Sequence, residues 1–599
     1  MVSNRKYFSI VTMFVVLLFL FQFSQVMKEG GNDYDTNSNI KTADLKETDA
    51  WTPDKSRPGN DQVYFLGSVE SEYANAVINW SKGTKRRINI ENTLDGFAIP
   101  YDKAEGTVFI IDPDYMEQSG ADSQKLYSYA ENGAIIIFAA LPKLDRIRID
   151  NKLSELLDIK SVIADNVNLS GISLFEGFLI GGSAIYEAKT DREEKTLQDM
   201  DITVPWYLTG NRSETFMVGL LGKDVEDENL PAIIWRAATG EGKVYAINGD
   251  YMKESMGMGI LDAMLADAMP YYIYPVVNSQ NVSVTDFSPA SEENDGVIRQ
   301  LYSRNMSSFF QDIIWPGLYS VSVKNNAAVT CYITPQMDYT DDIFPKKSVF
   351  QFYLKQFKER KFETGISEGY KYTNGFAQKK EADKKYFEDE GISYKFNTAY
   401  VPDENVNSYV NEGYGKDINT ILSEYRKDKP VISYIDNETT LQRATLTGNN
   451  HTYRDDFRMK CIQTALAYSN TIVSLKNITW PESEADRWES VSGKISGNII
   501  TYQKPFKVFD NTTASECDLR IRNYYNVNYS DTRTDDTITL DVDKRLYNSY
   551  FILRLHNEEI EEVENGSCKK IEEGAYIIKT SSEKTKIKVK KCDSLYYVD

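Results

Sequence analysis

Residues 107–140 read TVFIIDPDYMEQSGADSQKLYSYAENGAIIIFAA, and this stretch decides the fold class of the first half of the chain. Two short runs, TVFIID (107–112) and AIIIFAA (134–140), are apolar throughout, and the stretch between them has the pattern of a helix (123–131). Strands that are apolar on both faces and separated by helices are typical of a parallel sheet covered on each side. The sequence therefore predicts an α/β domain, which we assign to residues 61–275.

A β-hairpin and a following helix are predicted near the end of this domain, at 232–248 and beyond. The segments AENGAIIIFAA and TGEGKVYAINGDYM together resemble the glutamine-amidotransferase-like α/β domain, a flavodoxin-like accessory module of carbohydrate-active enzymes. An active amidotransferase requires a Cys nucleophile with a His and a Glu nearby. Because residues 63–275 contain neither Cys nor His, we expect this domain to have a structural or binding role.

The composition limits the possible functions of the 599-residue chain, whose 41% hydrophobic content is enough for several packed domains. Lys and Arg number 68 against 89 Asp and Glu, a net charge of −21. This balance argues against a nucleic-acid partner, since phosphate binding requires clustered cations. Five cysteines without a close C-x-x-C pair exclude a zinc ribbon. His451 and His556 are the only histidines, so mechanisms that need several imidazoles are disfavoured.

The N-terminal residues carry a targeting signal. Arg5 and Lys6 precede an apolar run at residues 8–23, which comes close to the length that spans a hydrocarbon core. The run ends without a small-x-small cleavage site, so we expect an uncleaved signal anchor (residues 1–27, a transmembrane helix), with a cleaved signal peptide as the alternative. The positive-inside rule then predicts a single-pass cell-membrane protein whose body is extracytoplasmic, held off the membrane by a linker at residues 28–60.

A second strand-and-helix pattern begins at AAVTCYIT (327–334). It continues through an acidic loop, a helix and the E-x-G triplet that begins at Glu363, and residues 470–477 supply a later strand. This order resembles NodB-type polysaccharide deacetylases. The resemblance implies a deacetylase-like (β/α) barrel over residues 327–497, joined to the first domain by a connector at residues 276–326.

The chemistry of that family depends on a divalent metal held by one Asp and two His, with a second Asp as base and a further His on the closing strand. In this chain Ser367, Lys371 and Lys476 occupy the expected histidine positions, and strict register places Thr334 and Pro335 at the paired aspartates. A protonated Lys cannot ligate a metal, and Ser is a poor zinc ligand. The resemblance thus implies a degenerate site without its metal histidines, with Ser367, Lys371 and Lys476 as substrate-binding candidates and enzymatic activity in doubt.

Carboxylates are the remaining candidates for chemistry in this region. Asp338, Asp341 and Asp342 offer oxygen ligands suited to Ca²⁺, although a solvated acidic loop or helix N-terminus has the same composition. Glu363 and Glu368 could form a pair with one of these aspartates for glycoside hydrolysis.

His451 precedes the acidic pair Asp455 and Asp456 and is a candidate catalytic residue. The alternative is a helix-capping or loop position, which the absence of an accompanying imidazole, Cys or nucleophilic Ser motif favours.

The last hundred residues change to short alternating runs separated by turn residues. Five such runs, the first at 498–502, predict a C-terminal β-sandwich over residues 498–599. Cys568 and Cys592 lie near its last strands and could form a disulfide bridge.

In architecture and order, the chain resembles an uncharacterised family of bacterial membrane-anchored proteins associated with Pel-type exopolysaccharide loci. The resemblance implies a protein that binds or organises a surface polysaccharide, alongside exopolysaccharide synthesis or export proteins. The alternative is an active deacetylase or glycoside hydrolase with a carboxylate-based site. Because ligands meet the carboxyl ends of strands in such folds, we expect Asp338, Asp341 and Asp342 to face Ser367, Lys371 and Lys476 across one cleft.

Overall fold

The computed structural model describes residues 11–17, 42, 63–94, 100–118, 122–188, 190, 200, 202–221, 229–368, 371, 375–412 and 418–592. Within these ranges, no helix combines the length and the apolar character needed to cross a membrane. Of the apolar run at residues 8–23, only a helical segment at residues 11–17 is described, and the rest of the predicted anchor lies outside the described residues. The predicted fold class is corrected for the residues that the structure describes: they form a mixed α/β multidomain protein, and none of their helices is a transmembrane helix.

The first sheet contains nine strands. In spatial order they are Ile88–Glu91, Val63–Leu66, Val108–Ile111, Ile135–Phe138, Gly242–Ile247, Ala232–Thr239, Ser213–Leu220, Gly171–Leu174 and Ala184–Glu187. The first five strands are parallel and the remaining pairs are antiparallel. The two central strands that follow from the quoted stretch are buried at every residue, as their continuous apolar character requires.

We call the first sheet with its helices and a two-stranded ribbon the first layer, and the second sheet with its helices the second layer. The ribbon pairs Ile159–Asn168 with Thr203–Thr209. The helices are Glu72–Thr84, Pro113–Met116, Ser123–Glu131, Leu144–Ile149, Asn151–Leu156 and Met256–Ala268, with a 3₁₀ turn at Tyr101–Lys103.

Helix Met256–Ala268 joins the first layer to the second. It is apolar on nearly all sides and almost entirely buried, as expected for a helix enclosed by protein. It packs against helix Tyr453–Leu466 of the second layer, and a Cβ atom built on Gly259 would lie 1.9 Å from the Cys461 carbonyl oxygen. Only glycine permits so close a contact. Residues of both helices belong to one hydrophobic core, which the two layers therefore share.

The second sheet also contains nine strands. In spatial order they are Ile432–Tyr434, Thr440–Arg443, Thr420–Ser423, Thr398–Tyr400, Glu363–Ser367, Val329–Ile333, Ser279–Phe287, Tyr468–Ser474 and Leu446–Thr447. All neighbouring pairs are parallel except the one that involves Ile432–Tyr434. The sheet is curved, because residues 440–447 pair with Thr420–Ser423 at one end and with Tyr468–Ser474 at the other.

The helices of the second layer alternate with these strands. They are Asp295–Tyr302, Met306–Phe309, Trp315–Asn325, Phe350–Arg360, Gly375–Asp389, Val406–Asn411, Tyr453–Leu466, Lys476–Thr479, Trp488–Gln503 and Ala514–Asn526, with a π-helical turn at Phe310–Ile314 and 3₁₀ turns at Asp403–Asn405, Glu484–Asp486 and Lys504–Phe506.

The deacetylase-like barrel predicted over residues 327–497 does not describe this sheet. Strand Ser279–Phe287 lies in the predicted connector and pairs with two other strands of the sheet. Helix Ala514–Asn526, from beyond the predicted boundary, packs against the same strand and supplies buried hydrogen bonds to the interior. The polar residues at 279–287 led to the assignment of this segment to the connector. Both faces of the strand are nevertheless buried, and its polar side chains lie in a polar interior of the sheet.

The C-terminal part begins later than predicted. Residues 498–502 lie within helix Trp488–Gln503, where Ile495, Ile499 and Tyr502 are buried at helical spacing, so reading them as a strand was wrong. Two four-stranded sheets follow, and they share one core. One contains Tyr271–Val276, Ser549–Leu555, Ala575–Thr580 and Gly566–Glu572, and the other contains Asn528–Thr534, Thr537–Asp543, Lys584–Lys591 and Glu558–Glu564.

The first sheet of this C-terminal part takes its edge strand, Tyr271–Val276, from the end of the region assigned to the amidotransferase-like domain. The C-terminal strands are therefore not an independent appendage. Cys568 and Cys592 are both free thiols, so the disulfide considered from the sequence is not formed.

Candidate functional site

The carboxyl ends of the parallel strands in the second sheet meet at one edge, where loops bring polar side chains together. Asp286 is the penultimate residue of strand Ser279–Phe287, Glu368 directly follows Glu363–Ser367, and Glu424 directly follows Thr420–Ser423. These three carboxylates were not connected by the sequence analysis. The signal that could have found them is an acidic residue at the end of each buried strand.

Asp286 has an unusual backbone conformation, with φ of 62°, in the left-handed region. The pairing of its strand with Val329–Ile333 shifts register between Val284 and Phe287, so Asp286 lies at an irregularity of the ladder. Its carboxylate accepts hydrogen bonds from the hydroxyls of Thr285 and Ser474, each at 2.9 Å. Buried backbone strain of this kind concentrates at functional sites.

Tyr400 lies at the centre of the three carboxylates. Its hydroxyl donates a hydrogen bond of 2.6 Å to Glu424. Burial raises the pKa of Tyr400, and the negative charges of Glu424, Asp286 and Glu368 raise it further. Tyr400 therefore remains a neutral hydrogen-bond donor.

Glu424 is held in place by its own loop. Besides the Tyr400 hydroxyl, it accepts hydrogen bonds from the Asp403 backbone N–H at 3.0 Å and from the Ser423 hydroxyl at 3.3 Å. Glu368 accepts a hydrogen bond of 2.6 Å from the Asn405 side-chain amide and is 3% exposed. The cluster is thus fixed by protein groups rather than left open.

A buried ion pair supports the same edge. Arg443, at the end of strand Thr440–Arg443, lies 2.7 Å from the Asp403 carboxylate, and it also donates a hydrogen bond to the Pro430 carbonyl oxygen at 2.8 Å. Both side chains are largely buried. This pair anchors the loop that carries Asn405.

Asp338 and Lys371, two of the residues singled out from the sequence, are brought together. Their side chains form an ion pair of 3.2 Å, and two backbone hydrogen bonds link residues 337–339 to Lys371. A hydrogen bond from the Thr340 hydroxyl, the Thr340 N–H and the Lys371 cation lower the pKa of Asp338. Asp338 is therefore ionised at neutral pH, and the Lys371 side chain remains 72% exposed.

The proposed calcium ligands do not form a metal site. Asp341 accepts a hydrogen bond from the Ile343 N–H at 2.9 Å, and Asp342 is exposed. Among the residues that the structure describes, no group of three or more His, Cys, Asp or Glu side chains could hold a metal ion. Asp341 and Asp342 fit the acidic loop that the sequence analysis gave as the alternative, whereas the Asp338 side chain is only 17% exposed and pairs with Lys371.

Glu363 lies at the opposite end of its strand from Glu368 and from the loop that carries Asp338, Asp341 and Asp342, so it does not form the considered pair with one of these aspartates. Glu363 is fully buried at the amino end of its strand and accepts hydrogen bonds from the Ser515 N–H at 3.0 Å, the Ser515 hydroxyl and the Thr330 hydroxyl at 3.3 Å. Burial raises its pKa. Its role is to attach helix Ala514–Asn526 to the sheet.

Ser367 is buried at the end of strand Glu363–Ser367, with Tyr400 as its partner on the neighbouring strand. Lys476 is exposed at the first residue of helix Lys476–Thr479. Of the predicted cleft, Asp338 and Lys371 form a direct ion pair.

His451 occupies a loop immediately before helix Tyr453–Leu466. The N-cap of that helix is Thr452, whose side chain accepts a hydrogen bond from the Asp455 N–H. The His451 ring stacks on Tyr502 at 5.5 Å, and the Asp455 carboxylate pairs with Arg458. This geometry fits the loop position given as the alternative and provides no base or acid role.

Trp480 is the residue that the sequence analysis missed. It directly follows helix Lys476–Thr479, is 39% exposed, and its indole N–H donates a hydrogen bond of 3.3 Å to the Met337 sulfur. Met337 precedes Asp338, so an exposed aromatic ring, an ion pair and Lys476 lie on adjacent segments. We call Met337, Asp338, Lys371, Lys476 and Trp480 the Trp480 surface.

Comparison with known proteins gives one family match. A family model described as an uncharacterised protein conserved in bacteria (DUF2194) matches residues 221–412, from the first sheet into the second. A comparison with curated proteins finds no match.

Three solved structures share limited similarity. An exo-beta-1,4-mannosidase (Op5Man5) from Opitutaceae bacterium strain TAV5 is 14% identical over 33% of this chain and 32% of that chain, with a TM-score of 0.21. A beta-galactosidase from Bacillus circulans sp. alkalophilus is 9% identical over 36% of this chain and 33% of that chain, with a TM-score of 0.22. The endo-beta1,6-glucanase BT3312 is 10% identical over 48% of this chain and 76% of that chain, with a TM-score of 0.20.

The chain spans about a third of the length of the mannosidase and the galactosidase. With TM-scores of 0.20 to 0.22, these similarities carry no argument about fold or activity.

Proposed function

We propose that this protein binds a polysaccharide on the Trp480 surface without hydrolysing it. The observation that carries the proposal is the exposed indole of Trp480, held by its N–H on the Met337 sulfur at the carboxyl end of the second sheet. Aromatic rings with a polar handle pack well on the apolar faces of sugar rings and lose little entropy in doing so. The neighbouring Asp338 and Lys371 side chains supply hydrogen-bonding groups for hydroxyl or acylamino substituents.

The polar groups around this surface favour binding over catalysis. Asp286 and Glu424 accept two and three hydrogen bonds from protein groups respectively. Lys371 pairs with Asp338 where the deacetylases that the chain resembles have an imidazole. The residues present do not fit the metal site of those enzymes, so we derive no metal-dependent step.

Affinity electrophoresis of the full chain through gels that contain partially acetylated chitosan tests the proposal. We expect the polymer to retard the protein, and we expect Trp480→Ala to weaken retention by about tenfold, equivalent to ~1.4 kcal/mol. Phe352→Ala is the matched control, since Phe352 is an exposed aromatic residue (41%) on helix Phe350–Arg360 and outside the Trp480 surface. Equal retention of wild type and Trp480→Ala would move the binding site elsewhere, and no retention on any polysaccharide would leave a purely structural protein.

Glycoside hydrolysis is the second candidate, favoured by the three carboxylates around Tyr400 and the left-handed Asp286. Paired carboxylates can act as acid and base or nucleophile when they flank a glycosidic bond. Release of new reducing ends from a polysaccharide, lost at least 100-fold in Glu368→Gln, would support hydrolysis. Metal-dependent acetate release that is lost in Asp338→Asn would instead support a deacetylase.

We also propose that the body of the protein lies outside the cytoplasm, attached to the cell membrane by its N-terminal segment, and acts with exopolysaccharide synthesis or export proteins. The support is Arg5 and Lys6 ahead of the apolar run at residues 8–23. A reporter that is active only in the cytoplasm should stay silent when fused after Asp599. Strong reporter activity would contradict this location.

A further inference from the structure

A large cavity lies at the amino end of the second sheet, opposite the Trp480 surface. Its volume is about 1480 Å³, and its walls come from residues 326–328, the end of helix Phe350–Arg360, residues 507–513 and residues 545–550. Small-molecule sites typically measure roughly 300–1,000 Å³. This cavity is therefore large enough for a segment of a polymer.

The charge of this cavity is opposite to that of the whole protein. The chain has a net charge of −21. Three acidic residues line the cavity, against seven basic ones: Lys358, Arg360, Lys361, Lys507, Arg520, Arg545 and Lys569. A basic concave surface on an acidic protein attracts an anionic ligand and raises its local concentration.

Helix geometry explains only part of this cluster. Lys358 and Arg360 lie in the last turn of a helix, where cations are favoured by the helix dipole. Lys507 likewise follows the 3₁₀ turn Lys504–Phe506, but Arg545 comes from a loop and Lys569 from a strand, where a helix gives no reason for a basic residue. Convergence of cations from separate parts of the chain indicates a ligand rather than a local helix effect.

Some of these cations are engaged by the protein and others are not. Arg520 and Lys569 each form an ion pair with Asp510 at 3.2 Å. In the part of the chain that the structure describes, neither Lys507 nor Arg545 forms an ion pair. These two side chains are thus available to bind an anion.

Aromatic and apolar groups lie among the cations. Tyr547 is 42% exposed, the adjacent Leu546 is 40% exposed, and Tyr550 packs against the Arg520 guanidinium at 4.7 Å. A surface for phosphate alone has no need of exposed aromatic rings, whereas sugar rings stack on them. We infer that this cavity binds a carboxylate-bearing polysaccharide segment, with Lys507 and Arg545 contacting its carboxylates and Tyr547 stacking on a sugar ring. This inference is independent of the Trp480 surface, which lies at the other end of the sheet.

Isothermal titration of the full chain with hexagalacturonate at low salt tests the inference, with maltohexaose as the neutral comparison. We expect binding of hexagalacturonate only, with an affinity that falls as salt is added. Lys507→Glu combined with Arg545→Glu should weaken it at least tenfold. Lys160→Glu combined with Lys355→Glu is the matched control, because it changes the net charge equally at exposed lysines outside the cavity and should leave affinity unchanged.

Further arms separate the ligand classes. Tyr547→Ala should weaken hexagalacturonate binding at least fivefold and leave binding of tripolyphosphate, if any, unchanged. If the charge-reversed pair fails to fold, Lys507→Gln with Arg545→Gln gives the same test with a milder change. Equal weakening by the control pair, absence of hexagalacturonate binding, or tight tripolyphosphate binding without hexagalacturonate binding would each overturn the inference. Loss of retention on chitosan by Trp480→Ala would not affect it.

Discussion

The two ends of the second sheet use similar residues for different purposes. At the amino end, Glu363 is fully buried beneath helix Ala514–Asn526 and accepts hydrogen bonds from Ser515 and Thr330. At the carboxyl end, Trp480 is 39% exposed and Lys371 is 72% exposed at the side chain. At the amino end, helix Ala514–Asn526 covers the Glu363 side chain and also lines the basic cavity. At the carboxyl end, loops leave the Trp480 surface exposed.

This difference shows that the surroundings of a carboxylate, rather than its place in a motif, decide its role. Glu363 and Glu368 are five residues apart in the sequence, and both were considered as partners of a loop aspartate in one catalytic site. The strand between them places one against a covering helix and the other among Asn405 and the Tyr400 cluster. The comparison predicts that substitution of the buried Glu363 affects folding, while substitutions on the exposed Trp480 surface affect binding.

The largest effect is expected at Glu363. In Glu363→Ala the Ser515 N–H and hydroxyl lose their acceptor in a buried site, and a cavity remains where the side chain was. We expect a loss of about 4 kcal/mol in the free energy of unfolding, measured by urea denaturation. Glu359→Ala, an exposed Glu on the neighbouring helix, should cost less than about 0.5 kcal/mol. Equal stabilities of the two variants would mean that helix Ala514–Asn526 does not depend on this contact.

The second-largest effect is expected at Arg443, which tests whether the loops at the carboxyl end of the second sheet are rigidly held. Removing Arg443 leaves the Asp403 carboxylate without its 2.7 Å partner in a largely buried position. Arg443→Ala should therefore lower the free energy of unfolding by about 3 kcal/mol. The exposed pair Arg426–Asp428 is the control, and Arg426→Ala should cost less than about 0.5 kcal/mol. A small effect at Arg443 would instead show that the loops at this end are mobile throughout.

The sequence predicted local elements better than their assembly. Strands Val108–Ile111 and Ile135–Phe138 and helix Ser123–Glu131 lie where their apolar and helical patterns placed them. Strand Ser279–Phe287 was missed because its buried polar residues face a polar interior, a property that only the completed sheet reveals. Residues 498–502 were misread because a five-residue segment of mixed apolar and polar residues is compatible with either a strand or one turn of a helix.

The site was harder to predict than the elements. Lys371 was identified from its place after the E-x-G triplet, and it does contact Asp338. The cluster around Tyr400 depends on three strands whose order in space the sequence does not state. Trp480 belongs to no sequence motif. Its importance comes from its exposure and from its contact with Met337, which lies 143 residues away in the sequence.

A pH experiment sharpens the comparison at Glu363 further. Burial raises the pKa of this carboxyl above its value in the unfolded chain, so folding is favoured when it is protonated. Its contribution to stability is therefore full below the unfolded pKa and declines as the pH rises through the folded pKa. Relative to Glu363→Gln, the wild type should lose stability over that interval with a slope approaching ~1.4 kcal/mol per pH unit. Parallel profiles of urea denaturation for the two proteins would show that Glu363 titrates alike in both states.

The smallest effect is expected for the Asp338–Lys371 ion pair, which tests whether the open end depends on surface electrostatics for folding. A double-mutant cycle with Asp338→Asn and Lys371→Gln should give a coupling energy of about 0.5 kcal/mol or less, because the Lys371 side chain is 72% exposed and an ion pair that water reaches gains little. The coupling should decrease further in ~1 M salt, where the Debye length is roughly 3 Å. The coupling should also disappear as the pH falls through the pKa of Asp338. This pKa is lowered in the folded protein, so the ionised carboxylate is the form that stabilises the fold. A coupling of several kcal/mol would mean that this pair is a structural element like Arg443–Asp403, and the contrast between the exposed Trp480 surface and the buried Glu363 contact would then fail.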